Sequence, residues 1–238
     1  AGYIQVSGKG VAVRNSTNMA RYYPYTSAQY SVTVRDPKGT GSGWAGVDFN
    51  DWNRIDADTL SQIALDKCIK SRNPVAVEPG RYVAILEPQA VCDLWAPIMD
   101  ELLDRSTAEE MQIGPFATTT RGLSKITQKV LDERITVSAD PMDPDCGFVP
   151  FDYMGEPYRP VKWIENGVLK ELSYSRMYAV SSLGSDHALP NSRAFRISGG
   201  DTSIEEMIES TERGILVTRF NNISIVNPSA VVLNGNTR

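Results

Sequence analysis

Val161-Lys162-Trp163-Ile164-Glu165-Asn166-Gly167-Val168-Leu169-Lys170-Glu171-Leu172 is the stretch on which the fold hinges. Two apolar runs flank an Asn-Gly pair, and that pair favours positive φ at both turn positions, which matches the twist of the strands it joins. The stretch predicts a two-residue hairpin with Asn166 and Gly167 as its structural turn residues. A lone hairpin is marginal in water, so further strands must accompany it. Arg134-Ile135-Thr136-Val137-Ser138 upstream and Ile215-Leu216-Val217 and Ile223-Ser224-Ile225-Val226 downstream read as such strands. Between them Ser203-Ile204-Glu205-Glu206 carries a capping-box pattern. Ser203 is its expected cap, Ile204, Met207, Ile208 and Thr211 form one helical face, and Gly214 is its expected left-handed stop.

Working toward the N-terminus, Tyr82-Val83-Ala84-Ile85-Leu86 predicts a buried strand, and Pro88 can open a helix carrying Val91, Cys92, Leu94, Trp95, Ile98, Leu102 and Leu103. Pro97 predicts either a kink there or a fresh start, because proline lacks the donor that the helix needs. Residues 104–124 are polar and rich in Gly and Thr, and predict a surface loop. Two prolines and a glycine within Pro74–Gly80 mark a boundary, dividing the chain into 1–75 and 76–238. Before it, Asp56 predicts the N-cap of a helix with Ala57, Leu60, Ile63, Ala64 and Cys68 on one face. The first 50 residues alternate aromatic and polar positions, as antiparallel strands do. Asp36-Pro37-Lys38-Gly39 reads as a turn. The Gly39–Gly46 run after it lacks the Gly-Lys-Ser/Thr ending of a phosphate loop; it reads as a hairpin, or as a strand that another backbone approaches closely. Long meanders with few helices predict an α+β class, antiparallel and β-rich with a few packing helices.

The 238 residues carry 24 Lys and Arg against 29 Asp and Glu, a net charge of −5, with no long basic run. Nucleic acid as a direct partner is therefore not expected, since phosphate binding needs clustered positive charge. No apolar run reaches the roughly 20 residues that span a bilayer, and no charged and apolar leader opens the chain. Neither a membrane nor an export signal is expected. The three cysteines, at 68, 92 and 146, form no CxxC pair, which suits a reducing cytoplasm. A single histidine, His187, rules out a two-histidine metal site built from this chain alone. Asp140, Asp143, Asp145 and Asp152 lack the alternate spacing and closing glutamate of a calcium loop, and read as a proline-stiffened turn. Ser185-Asp186-His187 offers the inventory of a triad, but adjacent side chains diverge and no nucleophile elbow is present. Cys68, on the apolar face of its helix, reads as a buried structural thiol. A Cys92 or Cys146 thiolate paired with His187 stays open by spacing.

The order of several further segments resembles the C-terminal domain of the TldD/PmbA family. These are Glu87-Pro88-Gln89-Ala90, Asp140-Pro141, Pro150-Phe151-Asp152-Tyr153-Met154-Gly155-Glu156-Pro157, Ile164–Leu169, Ser198–Ile208 and Glu212–Val217. Asn15-Ser16, the aromatic sheet and Gly41-Ser42-Gly43-Trp44 resemble the late part of that family's N-terminal domain, so the chain reads as shortened at both ends. The resemblance implies proteins once called modulators of DNA gyrase. They form two-subunit metalloproteases that mature peptide antibiotics or degrade an antitoxin by cutting unfolded peptides in a closed chamber. It also implies that the active subunit carries an HExxxH helix whose histidines bind zinc, with a cysteine ligand in a later tail, so Cys146 is not given that role.

The segment that resembles the metal helix is Val91-Cys92-Asp93-Leu94-Trp95-Ala96-Pro97-Ile98-Met99-Asp100-Glu101-Leu102, without a histidine. The expectation is a metal-free PmbA/TldE-type subunit with no catalytic, cofactor-binding or metal residues of its own. Zinc is expected in a TldD-like partner, with a homo-oligomer as the other assembly and unfolded peptides as substrates. The alternatives are an autonomous hydrolase using a Cys/His pair, and a scaffold without proteolytic function.

Overall fold

The computed structural model describes residues 1–16, 18–37, 39–145, 149–192 and 194–237. They cluster as two compact units, one of Ala1–Pro79 with Pro141–Gly155, the other of Gly80–Asp140 with Glu156–Arg238.

The first unit is built on a three-stranded antiparallel sheet of β1 (Gly2–Arg14), β2 (Ala20–Arg35) and β3 (Ser42–Phe49), in that order. The β1–β2 ladder runs without a break from Gly2 opposite Val32 to Arg14 opposite Ala20. Helix α1 (Ala57–Lys70) follows, and the Asp56 carboxylate caps it by accepting from the Thr59 N–H at 3.0 Å. Its buried residues Ala64 and Cys68 confirm the apolar face expected from spacing. The Gly-rich run is the strand that lets a backbone approach: a Cβ on Gly43 would lie 2.0 Å from the Ala64 carbonyl oxygen, and one on Gly41 2.4 Å from that of Cys68. Only hydrogen fits there. On β2, the Tyr30 hydroxyl meets Ser61 Oγ of α1 at 2.7 Å. In the expected turn before β3, the Gly39 N–H donates to the Asp36 carbonyl at 2.8 Å, while Lys38 lies outside the described residues.

The second unit runs through β4 (Val83–Leu86), α2 (Pro88–Pro97), a π-helical turn over Ile98–Leu102, α3 (Arg105–Glu109), β5 (Thr136–Ala139), β6 (Val161–Glu165) and β7 (Val168–Leu169). It continues with α4 (Arg176–Tyr178), a second π-helical turn over Ala179–Leu183, β8 (Arg196–Ser198), α5 (Ile204–Glu209), β9 (Gly214–Val217), β10 (Phe220–Asn227) and β11 (Val232–Thr237). Antiparallel pairing joins four strands in the order β7-β6-β5-β8 and separately joins β10 to β11, while β4 and β9 pair in parallel. The mixture of antiparallel sheets with few helices is the α+β architecture expected from sequence.

The Asn-Gly hairpin sits where its residues place it: Ile164 faces Leu169, Glu165 faces Val168, and φ is 49° at Asn166 and 75° at Gly167. Its apolar side builds the core. Trp163, Ile164, Leu169 and Leu172 are fully buried, packed with Val137 of β5 and with Met99 and Leu103 from the far side of α2.

Two expectations are revised, and a third is resolved. Residues 104–124 are not only a surface loop, because they contain α3 and send Ala108 and Phe116 into the core; two apolar anchors in a polar stretch leave no periodic signal. At Pro97 the chain does one of the two things expected: α2 ends there and a π-helical turn starts at Ile98, with Ile98 still in the helical region at φ −66° and ψ −46°. Gly214 is not a helix stop. Helix α5 ends at Glu209 with Ser210 as its cap, and Gly214 opens β9 beside Val83. A Cβ at Gly214 would lie 3.0 Å from the Val83 carbonyl oxygen, so glycine serves strand approach there.

Candidate functional site

The segment of greatest functional interest is the one leading from β4 through α2, in the second unit. Strand β4 hands over to α2 at Glu87, whose N–H donates to the Val217 carbonyl of β9 at 3.0 Å. Pro88 then occupies the first helical position, where its missing donor costs nothing. Asp93 anchors the helix. One of its oxygens accepts from Gln89 Nε2 at 2.7 Å, and the other from the Phe220 N–H of β10 at 2.9 Å. Beyond Pro97, the Met99 carbonyl accepts from Asn191 Nδ2 at 2.6 Å.

This donor set does not fit zinc. The stretch offers Cys92, Asp93, Asp100 and Glu101 but no imidazole, and both Asp93 oxygens are engaged. Cys92 reaches the surface, yet the protein around its sulfur and then the adjacent Asp93 carboxylate push its thiol up, away from the thiolate that a metal or a nucleophilic role requires. Among the described residues, no three His, Cys, Asp or Glu side chains gather closely enough to hold a metal ion.

Glu109, at the end of α3 and 6% exposed, is the centre of a buried polar network in this unit. Its Oε1 accepts from Arg105 Nε at 2.9 Å and from Ser124 Oγ at 2.7 Å, and its Oε2 accepts from the Tyr178 hydroxyl. Burial pushes the Glu109 carboxyl up, but the three donors and the Arg105 charge outweigh it, and the net shift is downward. Tyr178 is pushed up to about 12, first by burial and then by the Glu109 carboxylate, so it stays a donor. Sequence reading missed this network. Arg105 and Glu109, one helical turn apart, were its only local trace, and Tyr178 is 69 positions from Glu109.

The residues expected from sequence are placed as follows. Ser203 forms the capping box, its Oγ accepting from the Glu206 N–H at 3.2 Å and its N–H donating to Glu206 Oε2 at 2.8 Å. Asn166 and Gly167 make the hairpin turn, and Gly214 opens a strand. These four are not brought together and serve the scaffold. Asp186 and His187 are both exposed, with Nε2 and Oδ1 3.3 Å apart, and the His187 N–H donates to Ser185 Oγ at 3.2 Å, an arrangement that holds a loop rather than relays a proton. In the acidic stretch, Asp145 pairs with Arg54 at 2.6 Å and Asp143 accepts from the Asp145 N–H at 2.9 Å, as a stiffened turn does. Cys146 lies outside the described residues.

Among the described residues, no helix is long and apolar enough to cross a membrane. Comparison with curated proteins finds no relative. Solved structures give clear likenesses of fold. A protein described as a candidate modulator of DNA gyrase from Bacteroides thetaiotaomicron superposes with a TM-score of 0.80 at 20% identity, over 99% of this chain and 53% of its own. A second so described, from Thermotoga maritima, gives 0.68 at 16% identity, over 93% of this chain and 51% of its own. TldE from Thermococcus kodakarensis gives 0.74 at 21% identity, over 94% of this chain and 52% of its own. The chain thus spans about half the length of the structures it matches. Residues 79–238 match the model of the PmbA/TldA metallopeptidase C-terminal domain, which is well over half of the chain, and the protein belongs to the PmbA/TldD family.

Proposed function

We propose that this chain is the metal-free subunit of a two-subunit metallopeptidase, acting in the cytoplasm on unfolded peptides within a closed chamber. In this reading a zinc-bearing, TldD-like subunit supplies the metal, and this chain supplies wall and contact surface. One observation carries the proposal: the helix where the family resemblance places metal ligands holds no imidazole, and its central carboxylate is spent on holding β10. The likeness to TldE supports the same side of the pair. A Cys/His hydrolase is disfavoured, because the Cys92 thiol is pushed up and the chain's one histidine is exposed beside Asp186. Mixing the purified chain with a family member that carries HExxxH tests the proposal. A stable complex at micromolar concentration, with peptide cleavage that a chelator stops, is the expected result. Absence of association, or chelator-resistant cleavage by this chain alone that is lost in Cys92→Ala, overturns it.

A further inference from the structure

We infer that residues 113–126 form a lid that opens as one body, hinged at Gln112 and Thr127 and latched shut by Glu109. Positive φ marks both ends of the segment, 56° at Gln112 with 96° at Gly114 beside it, and 74° at Thr127. A β-branched residue at such an angle is strained, and strain of this kind persists only where the surroundings impose it. Thr127 is the third residue of a turn closed by the Gln128 N–H on the Lys125 carbonyl at 2.9 Å, a position that suits glycine or asparagine. Its own N–H donates to the Leu169 carbonyl of β7 at 2.8 Å, so from Thr127 onward the chain is tied to the sheet. Its side chain is exposed and can change without disturbing a neighbour's packing.

Between the hinges the segment closes on itself. Ala117 bridges Ser124 in antiparallel fashion, the Lys125 N–H donates to the Phe116 carbonyl at 2.8 Å, and Lys125 Nζ donates to the Pro115 carbonyl at 2.7 Å. These contacts lie inside the body and survive its movement. A different set crosses to α3: the Ile113 N–H to the Thr107 carbonyl at 3.0 Å, the Gly122 N–H to the Glu109 carbonyl at 2.8 Å, and the Ser124 hydroxyl to Glu109 Oε1 at 2.7 Å. The last is charge-assisted and stronger than an ordinary hydrogen bond, which makes it the latch. Phe116, 4% exposed, is the plug, with Ala117 and Ile126 packed against the same core. Plug and latch hold the lid closed, while the strain at Thr127 lowers the cost of opening. Opening uncovers Phe116 on a body whose Leu123 is already 57% exposed, so the open state carries an apolar surface that the closed one hides.

Amide hydrogen exchange of the full chain, corrected for intrinsic rates, tests the lid. The Ile113 and Gly122 amides, whose bonds cross to α3, exchange at least about tenfold faster than the Lys125 amide inside the body and than the amides of β5 and β6. Low concentrations of urea leave the rate at Ile113 and Gly122 unchanged, because local opening exposes little surface compared with unfolding. Ser124→Ala removes the latch and speeds both amides together by at least about tenfold. Thr127→Asn relieves the strain and slows both together by about threefold or more. Ile113 and Gly122 amides that respond differently to the two variants, a Lys125 amide that exchanges as fast as they do, or exchange of all three only together with β5 and β6 overturns the proposal. The comparison of amides in the unaltered chain decides the matter by itself if either variant fails to fold. The zinc-bearing subunit takes no part in this experiment, so its outcome is independent of the function proposed above.

Discussion

Glu109 shows how a single buried carboxylate ties distant parts of the chain together. Its donors come from α3, from the loop at Ser124 and from α4, and each is left with a lost partner if the carboxylate goes. Glu109→Gln keeps the shape but removes the charge that Arg105 faces, and is expected to cost about 2 to 4 kcal/mol in urea unfolding at neutral pH. The sign of the pH dependence follows from the downward shift of this group from 4.5. Its contribution is present above the unfolded value and is lost as pH falls through the lower folded one. Tyr178→Phe removes one donor to the carboxylate, so the folded value rises toward the unfolded one and the acid-side loss shrinks. Unfolding curves between pH 3 and 6, an interval about one to two units either side of the ordinary carboxylate range, are thus predicted to be shallower in Tyr178→Phe than in wild type. An unchanged slope would remove Glu109 as a source of the acid sensitivity.

Elements are fixed here by what fits between them as much as by what they contain. At Gly43 the β3 backbone lies against α1 so closely that a methyl group would overlap the Ala64 carbonyl oxygen, the Cys68 nitrogen at 2.6 Å and the Lys67 Cβ at 2.8 Å. Backbone cannot step aside as a side chain can. Gly43→Ala is expected to destabilise the first unit by more than about 3 kcal/mol, whereas Gly8→Ala, which meets open space, stays within about 1 kcal/mol of wild type. Thermal melts of the two variants decide this. Ser203→Ala, which opens the capping box of α5, should cost about 1 kcal/mol. The capping box, the Asp56 cap and the Asn166-Gly167 turn were legible in the sequence because each is a local bargain struck within four residues. The role of Gly214 was not. A glycine after a helix looks the same whether it takes a left-handed cap or admits a neighbouring strand, and the strand it admits, at Val83, is far away in sequence. For the same reason the helix without imidazole could be read from composition, while the bond from Asp93 to the Phe220 N–H could not.

At the scale of the molecule, the chain enters the first unit twice, once over Ala1–Pro79 and again over Pro141–Gly155. The second visit is held by specific contacts: Arg54 to Asp145 at 2.6 Å, Asn50 Nδ2 to the Pro144 carbonyl at 3.2 Å, and Met19 against Gly155, where a Cβ would lie 2.2 Å from its methyl carbon. Prolines and a glycine around Pro141, namely Pro141, Pro144, Pro150, Gly155 and Pro157, mark turns there, but turn residues do not say which unit a stretch packs on, so the return is not legible from composition. The core around Trp163, by contrast, draws every one of its buried members from the second unit. A fragment of residues 80–238 therefore retains its own core but strips 141–155 of every partner just named. It is expected to keep a cooperative melt while this stretch becomes the first site of cleavage in limited proteolysis. In the full chain the same stretch resists, because local opening must first break the Arg54 and Asn50 contacts. Equal resistance of 141–155 in the fragment and the full chain would mean that these contacts contribute no protection.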